Sequence, residues 1–511
     1  MPAARTTPAL TRLDWPLRLL TAGLLIGMTG CSAVGPNFVP PAAPDSPHYT
    51  PQALPTQTQA TPDTAQGNAQ SLTAQTSPTR WWQTFGNPAL DQLIAQALDN
   101  SPTLAAAQAR LEQARKAYQA QAGASELPQV NASFTGQDQG SNNSQIGQEG
   151  GKRQFALYHA GIAVSYNLDL FGGNRRTLEA LAAQADYQQY ELAAARLTLA
   201  GNIAVQAMTQ AMLNDQIRTT QAILRDQDRQ IELMTARLAL GAATRADVLS
   251  LKTQRAQTAA TLPPLQFKRA QADHLLATLT GQQPSQANIP AFSLDQFTLP
   301  ASLPVIVPSE WVANRPDIGA ASALLHVASA QYGVALSNLY PQINLSATLG
   351  SQALTPAALF NADSIIWSLV AGLTQPLFNG GLKAGAEAAK AALAEAAANY
   401  QQAVLDGLRN TADALRAIEI DAQTLNAQVA AQQAAKDSLQ LTEQQLKLGS
   451  TTALQLLTAQ QQVQQTQLLT LAARMQRLTD SVALYQAMGS PTPPPSTPSS
   501  RSHDLPETVT P

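Results

Sequence analysis

A mainly α-helical chain with a small β part of membrane-strand length, one structural unit written twice, is the fold the sequence predicts. Three observations predict it. Short motifs recur at a near-constant offset of 208 to 214 residues, alternating strand patterns follow a proline in each copy, and a proline-free segment of 67 residues comes after each pair of strands. At 511 residues the chain has the length of roughly three ordinary domains, but its composition argues otherwise. Only 13% of residues are charged, about half the share usual for a soluble domain, while apolar residues are an ordinary 44%. Ala, Gln, Thr and Ser fill the deficit, and they make a poor solvated globular surface. Aromatic residues at 5% are too few for a thick core and favour close helix-to-helix packing. A net charge of -3 with pI ≈ 6.0 excludes a broadly basic nucleic-acid binder. The single cysteine excludes an intrachain disulfide, and the five histidines (His48, His159, His274, His326, His503) are too scattered for a local metal motif.

Residues 1–30 read as an export signal. Arg5, Arg12 and Arg18 precede an apolar stretch from Leu19 to Met28, much shorter than the ~20 residues a spanning helix needs. Its end, Met28-Thr29-Gly30-Cys31, resembles the bacterial lipobox, in which the thiol receives a diacylglycerol and becomes the new N-terminus. An ordinary export signal with an incidental cysteine is the alternative, disfavoured because a free exposed thiol is a liability in an oxidising compartment. Ser32 in second place, in contrast to Asp, fits sorting to the outer membrane. No metal or cofactor is expected beyond a covalent lipid on Cys31. Removing 1–30 takes away three Arg and Asp14 and moves the net charge from -3 to -5. Residues 31–79 then form a lipidated tether, read as disordered over its Pro-, Gln- and Thr-rich part from 40. A disordered tail, 490–511, carries Pro491, Pro493, Pro494 and Pro495.

The first repeat spans 80–281 and the second 313–489, with an equatorial connector at 282–312. Ser101-Pro102-Thr103-Leu104 recurs as Arg315-Pro316-Asp317-Ile318, and Leu127-Pro128-Gln129-Val130 as Tyr340-Pro341-Gln342-Ile343. Leu170-Phe171-Gly172-Gly173 recurs as Leu377-Phe378-Asn379-Gly380-Gly381, and Leu240-Gly241 as Leu448-Gly449. A unit of about 210 residues is far longer than a solenoid repeat. The hairpin at 128–170 sets Val130, Ala132 and Phe134 against Asn131, Ser133 and Thr135. Its second strand sets Tyr158, Ala160, Ile162, Val164, Tyr166 and Leu168 against His159, Ser165, Asn167 and Asp169. In the hairpin at 341–377, Ile343, Leu345, Ala347 and Leu349 alternate with Asn344, Ser346 and Thr348, and Ile365, Trp367, Leu369, Ala371 and Leu373 mark the last strand. A period of two is the mark of strands, and each is long enough for a tilted membrane strand. Two amphipathic hairpins on a soluble helical core would give the same pattern; the export signal favours the membrane.

Long helices are predicted over 174–240 and 382–448, each about 100 Å at 1.5 Å per residue. Gly241 and Gly449 suit the positive-φ position that ends a helix. Return helices follow at 243–281 and 451–489. In the second, Leu454, Leu457, Gln461, Gln464, Leu468, Leu471, Met475, Leu478, Val482 and Tyr485 keep a 3-4 spacing, a coiled-coil seam with two polar positions. In the first, Val248, Leu251, Arg255, Thr258, Leu262 and Leu265 keep it until Pro263-Pro264, which is expected to bend the helix. A return helix plus the short helix before a hairpin nearly matches one long helix in length. The two are therefore expected to stack end to end beside it, with 282–312 and 80–100 belting the junction.

Four strands cannot stand alone in a bilayer, because open edges leave backbone groups unsatisfied in hydrocarbon. Chains must pool them. At this point the sequence resembles the outer membrane factors, the TolC-like channels, and most closely their lipoprotein branch serving multidrug efflux. The matching residues are Val34-Gly35-Pro36-Asn37-Phe38-Val39-Pro40-Pro41, Trp81-Trp82, Leu168-Asp169-Leu170-Phe171-Gly172, Gln375-Pro376-Leu377-Phe378, and the turns at Gly241 and Gly449. The resemblance covers roughly 31 to 489. It implies a homotrimer in which a twelve-stranded β-barrel continues into a periplasmic α-helical barrel closed at its far tip. It also implies a periplasmic adaptor touching the tip turns at Gly241 and Gly449, and an inner-membrane transporter of the RND type.

In that family the tip holds the aperture, closed by an apolar ring with acidic rings just beyond the Gly. Counted from Gly449, Leu454 falls on the apolar position, while Gln455 and Thr458 fall where acidic residues are usual; Asp247 matches a tip position in the first repeat. Leu454 also starts the 3-4 ladder, so a plain seam residue is the alternative. Without acidic rings, closure is expected to rest on packing and dewetting at Leu454, with Asp247 tying helix pairs through Arg245 or Lys447. The function expected is a passive conduit for small molecules such as drugs in a tripartite efflux pump. An exit duct for type I protein secretion is the alternative. An enzyme is disfavoured because no nucleophile, carboxylate or histidine cluster stands out. A coiled-coil spacer without a pore would lack the alternating strands.

Overall fold

The structure, a computed structural model, describes residues 33–42, 44–46, 48–142 and 151–489. The export signal 1–30, Cys31, the tail 490–511 and residues 143–150 of the first hairpin lie outside the described residues. Apart from single-turn segments, the elements in chain order are β1 (Ser71–Thr73), α1 (Pro88–Asn100), α2 (Pro102–Ser125), β2 (Gln129–Asn142), β3 (Lys152–Leu168), α3 (Gly173–Ala239), α4 (Arg245–Ala260), α5 (Leu262–Leu279), β4 (Ser302–Pro304), α6 (Pro316–Ser337), β5 (Gln342–Ala353), β6 (Ile365–Thr374), α7 (Gly380–Lys447) and α8 (Ala453–Met488). They form two compact units. Among the described residues one holds 33–39, 113–185 and 324–397, and the other 40–112, 186–323 and 398–489.

The first unit carries an antiparallel four-stranded sheet in the order β2-β3-β5-β6. Each hairpin hands over to a long helix through a carboxylate or amide cap. Asp169 accepts the N–H groups of Asn174 and Arg175 at 3.0 and 2.9 Å, at the start of α3. Asn379 Oδ1 accepts Leu382 N–H at 3.2 Å in α7. These oxygens satisfy donors that the first turn of a helix leaves open. The helices that follow run unbroken for 67 and 68 residues.

In the second unit, each return helix ends against the start of a short helix. Gly281, at φ +74, lies so close to Asn100 that a Cβ there would stand 2.5 Å from the Asn100 carbonyl oxygen. Gly489, at φ +72, meets the Asn314 carbonyl in the same way. Only glycine fits such an approach at positive φ. The second junction is tied further: Trp311 Nε1 and Arg315 Nη1 both donate to the Ala487 carbonyl, at 2.8 and 2.9 Å.

Two differences from the sequence expectation stand out. The 40–79 segment, expected as disordered tether, is built into the second unit, where Tyr49 already donates its hydroxyl to the Ile306 carbonyl at 2.7 Å. Thr58, Thr61, Gln66, Gln70 and Ser77 are buried, and β1 pairs in parallel with β4. The physical reason is a cation: Arg477, 1% exposed, donates to the carbonyls of Gln66 (2.6 Å) and Asn68 (3.1 Å), to Thr58 Oγ1 and to Gln70 Oε1 (both 3.3 Å). A polar segment orders where a buried guanidinium needs its acceptors. Secondly, the 80–100 stretch, expected as connector, contains α1, capped by Asn87 and burying Leu90, Leu93, Ile94 and Ala97. The pair Trp81-Trp82 precedes it, with Trp81 stacked on Tyr485 at 5.4 Å.

The 282–312 connector is held by polar side chains of α3. Gln210 accepts from Phe292 N–H (2.9 Å) and donates to the Pro290 carbonyl (3.0 Å), and Asp215 accepts from Leu294 N–H (3.0 Å). At Pro263-Pro264 the hydrogen-bond ladder is interrupted: α4 ends at Ala260 and α5 begins at Leu262. Thr261 between them keeps right-handed helical dihedrals, φ -80 and ψ -19. The prolines thus fall in the first turn of α5, where a missing N–H costs least.

Candidate functional site

The sheet has two chemically distinct faces, fixed by register. Val130, Ala132 and Phe134 pair with Val164, Ile162 and Ala160; Ile162, Val164 and Tyr166 pair with Leu349, Ala347 and Leu345; and these with Trp367, Leu369 and Ala371. One face is therefore an unbroken apolar surface across all four strands. The other carries Asn131, Ser133 and Thr135 beside Ala163, Gly161 and His159, then Thr348, Ser346 and Asn344 beside Ser368, Val370 and Gly372. Trp367, Leu369 and Phe134 are exposed on the apolar face. An exposed apolar face of this extent needs a hydrocarbon solvent or a partner. Among the described residues no helix is long and apolar enough to cross a membrane. β2 and β6 form the outer edges of the sheet.

The two tip turns are built alike. After α3, Gly241 (φ +76) donates its N–H to Leu238 O at 3.0 Å, and Ala242 N–H reaches Arg237 O at 2.8 Å. After α7, Gly449 (φ +75) donates to Leu446 O at 3.2 Å and Ser450 N–H to Gln445 O at 2.9 Å. This paired closure of the last carbonyls is what the left-handed residue permits. Three residues beyond each Gly a threonine caps the return helix. Asp247 N–H donates to Thr244 Oγ1 (3.2 Å), while the Asp247 carboxylate accepts from Thr244 N–H (2.9 Å) and Oγ1 (2.7 Å). Gln455 N–H donates to Thr452 Oγ1 (3.3 Å) and Gln455 Oε1 accepts from Thr452 N–H (3.2 Å). Both are capping boxes, separated by the repeat offset.

Within the chain the Asp247 carboxylate is engaged through one oxygen by Thr244, whose hydroxyl and N–H hold it below the usual carboxylate range, and among the described residues it makes no ion pair with Arg245 or Lys447. Thr458 Oγ1 donates to the Leu454 carbonyl at 3.0 Å, and Gln455 also receives the Thr451 hydroxyl. Leu454 itself is 67% exposed. The core beneath the tip consists of Met234, Val248 and Leu251, with Leu446 and Leu457 packed against it, and Leu454 takes no part in it. Leu240 and Leu448, just ahead of the two glycines, are 84% and 83% exposed. Deeper in, Gln461 Nε2 meets Gln254 Oε1 at 2.5 Å and links α8 to α4.

The sequence missed the Arg477 cluster. Burial lowers the Arg477 pKa, opposed by Asp421 and Asp480; burial raises that of Asp480, and the adjoining Asp421 adds to the rise. The available signal was two charged residues beside the apolar seam positions Leu478 and Val482.

The sequence model of the outer membrane efflux proteins matches residues 93–282 and 307–490. The chain belongs to this family. The pyoverdine export outer membrane protein OpmQ of Pseudomonas putida is 31% identical over 93% of this chain and 97% of its own. The probable outer membrane lipoprotein SilC of Salmonella typhimurium is 26% identical over 93% and 98%. The solved outer-membrane channel OprN superposes with a TM-score of 0.80 at 26% identity, covering 89% of this chain and 99% of that one. The protein is an outer membrane channel of an efflux pump, with the TolC-like fold. Its relatives are channel and transport proteins.

Proposed function

We propose that the protein works as a homotrimeric, lipid-anchored passive conduit for small molecules. A periplasmic adaptor delivers cargo at the tip turns around Gly241 and Gly449, and an RND-type inner-membrane transporter supplies the energy, the channel performing no chemistry of its own. The observation that carries this is the sheet: one apolar face and open edges at β2 and β6, which only pairing with further copies can satisfy in hydrocarbon. The name of the OpmQ relative, a pyoverdine exporter, favours small molecules over a protein-secretion duct. Lipidation at Cys31 agrees with the name of the SilC relative.

The resting constriction lies at Leu454, exposed at the tip and uncommitted to the core beneath it. Gln455 and Thr458 add no carboxylate there, so closure depends weakly on pH and divalent cations. Single-channel recordings of Leu454→Ala trimers test this. Resting conductance should rise; a wild-type value in correctly inserted channels places the constriction elsewhere. Light scattering in detergent tests the trimer, and a well-ordered monomeric barrel would refute it. Metabolic labelling with a radioactive fatty acid should mark the wild type and leave Cys31→Ser unlabelled.

A further inference from the structure

The residues that follow the cysteine are gripped by side chains of the strand-bearing unit. Val34 donates its N–H to the Phe171 carbonyl at 3.0 Å, and its own carbonyl accepts from Arg176 Nε at 3.2 Å. Arg176 Nη2 donates to the Gly35 carbonyl (3.1 Å) and to Asn37 Oδ1 (2.8 Å), while Nη1 pairs with Glu179 at 2.7 Å. The other Glu179 oxygen meets His326 Nε2 at 2.9 Å, and the His326 ring lies flat on Phe38, centroids 4.3 Å apart at 12°. Gly35, at φ +95, presses on Gly333 of α6, where a Cβ on Gly35 would come within 2.8 Å of the Gly333 Cα. A Cβ on Gly333 would in turn strike Arg176 at 2.9 Å.

Three features mark this as a purpose-built seat. The Arg176 side chain is only 4% exposed, a costly place for a cation unless its fork is filled, and here two carbonyls, an amide oxygen and a carboxylate fill it. Glycines on both sides let two backbones touch. The seat also exists once: at the repeat offsets Arg176 corresponds to Ala384 and His326 to Glu112, so the duplication supplied no second copy.

The geometry points to Arg176, Glu179 and His326 as a mount for the post-cysteine segment, so that the lipid attaches through a fixed bracket at the Phe171–Gly172 corner instead of a free leash. This rests on the proposed lipidation of Cys31 only for what hangs from the bracket. Three chain steps, through Ala33 and Ser32, separate Val34 from Cys31, a reach of at most about 11 Å. The anchor is thereby confined to the corner where the membrane sheet hands over to α3.

The test uses the full-length protein with a nitroxide on Val39→Cys, a position that is 76% exposed and outside the seat. Mass spectrometry checks the number of labels. An acylated Cys31 gives one label per chain, and fatty-acid labelling is followed in parallel. The wild-type spectrum should be broad and immobilised. Arg176→Ala should lose the immobilised component, and so should Asn37→Ala and Phe38→Ala, which act from the segment and leave the helices untouched; trimer mobility and conductance should stay unchanged. Arg176→Lys should also lose it, since an ammonium cannot span three acceptors in a fixed fork. Free tumbling in the wild type, or an immobile label in all of these variants, overturns the mount. A second label on Cys31, or absent fatty-acid incorporation, with the segment still immobile, overturns the lipidation reading while leaving the bracket standing.

Discussion

The return helices of the two repeats leave their turns on the same plan and then part company. Both begin with a positive-φ glycine and a threonine capping box, at Thr244 and Thr452. Beyond that, the first is interrupted at Pro263-Pro264, where the second has Leu471-Ala472 and continues unbroken from Ala453 to Met488. Arg269 on the first makes a half-exposed pair with Asp273 at 3.5 Å, whereas its counterpart Arg477 is buried and holds the 58–70 segment. Duplication thus preserved what sets backbone direction. What each helix face binds was free to diverge.

The largest contrast is expected between the two arginines. Arg477→Met leaves the carbonyls of Gln66 and Asn68 without their donor in a dry site and should destabilise by about 3–5 kcal/mol. Arg269→Met should cost less than about 1 kcal/mol. Thermal unfolding of the trimer in detergent measures both, and equal shifts would break the comparison. Next, Leu471→Pro imports the first repeat's proline into the second. It removes a ladder bond and crowds the Gln467 carbonyl, at a cost of about 3 kcal/mol or more. The reverse change, Pro263→Leu, should be tolerated with little loss, because Pro263 already sits in the first turn of α5.

Smaller effects sharpen the likeness of the tips. Thr244→Ala and Thr452→Ala should each weaken their helix start by about 1 kcal/mol, read as faster amide exchange in the first turns of α4 and α8. Unequal losses at neutral pH would show that the turns differ in more than one side chain. The smallest effect depends on pH. The Asp247 carboxyl lies below its usual range in the folded chain, so its contribution is complete above about pH 4, its unfolded value, and is lost as pH falls through the lowered folded value. Gln455 does not titrate. Amide protection at the first tip should therefore decline on acidification while the second holds, and Asp247→Asn should abolish that difference.

Much of the fold was legible because it is written locally. Alternation at Ile343, Leu345, Ala347 and Leu349 states a strand, a long proline-free run states a helix, and Gly241 and Gly449 state where it must turn, each through a rule that reaches only a few residues. The repeat then doubled every such signal. What the sequence could not state were contacts between distant residues with no periodic trace. Arg477 lies about 400 positions from the Gln66 and Asn68 carbonyls that order a polar segment, and Arg176 about 140 from Val34 and Gly35. Leu454 fitted a seam by spacing, yet its surroundings leave it exposed while Leu457 packs. The tip position of Asp247 suggests a tie between helices, but it does not state that its own Thr244 hydroxyl and N–H bind the carboxylate within the turn. By itself the sequence determined the elements, their order and their turns, because propensity and period act through neighbours along the chain. Tertiary structure alone decided which polar groups are buried together, since desolvation selects partners by proximity in space.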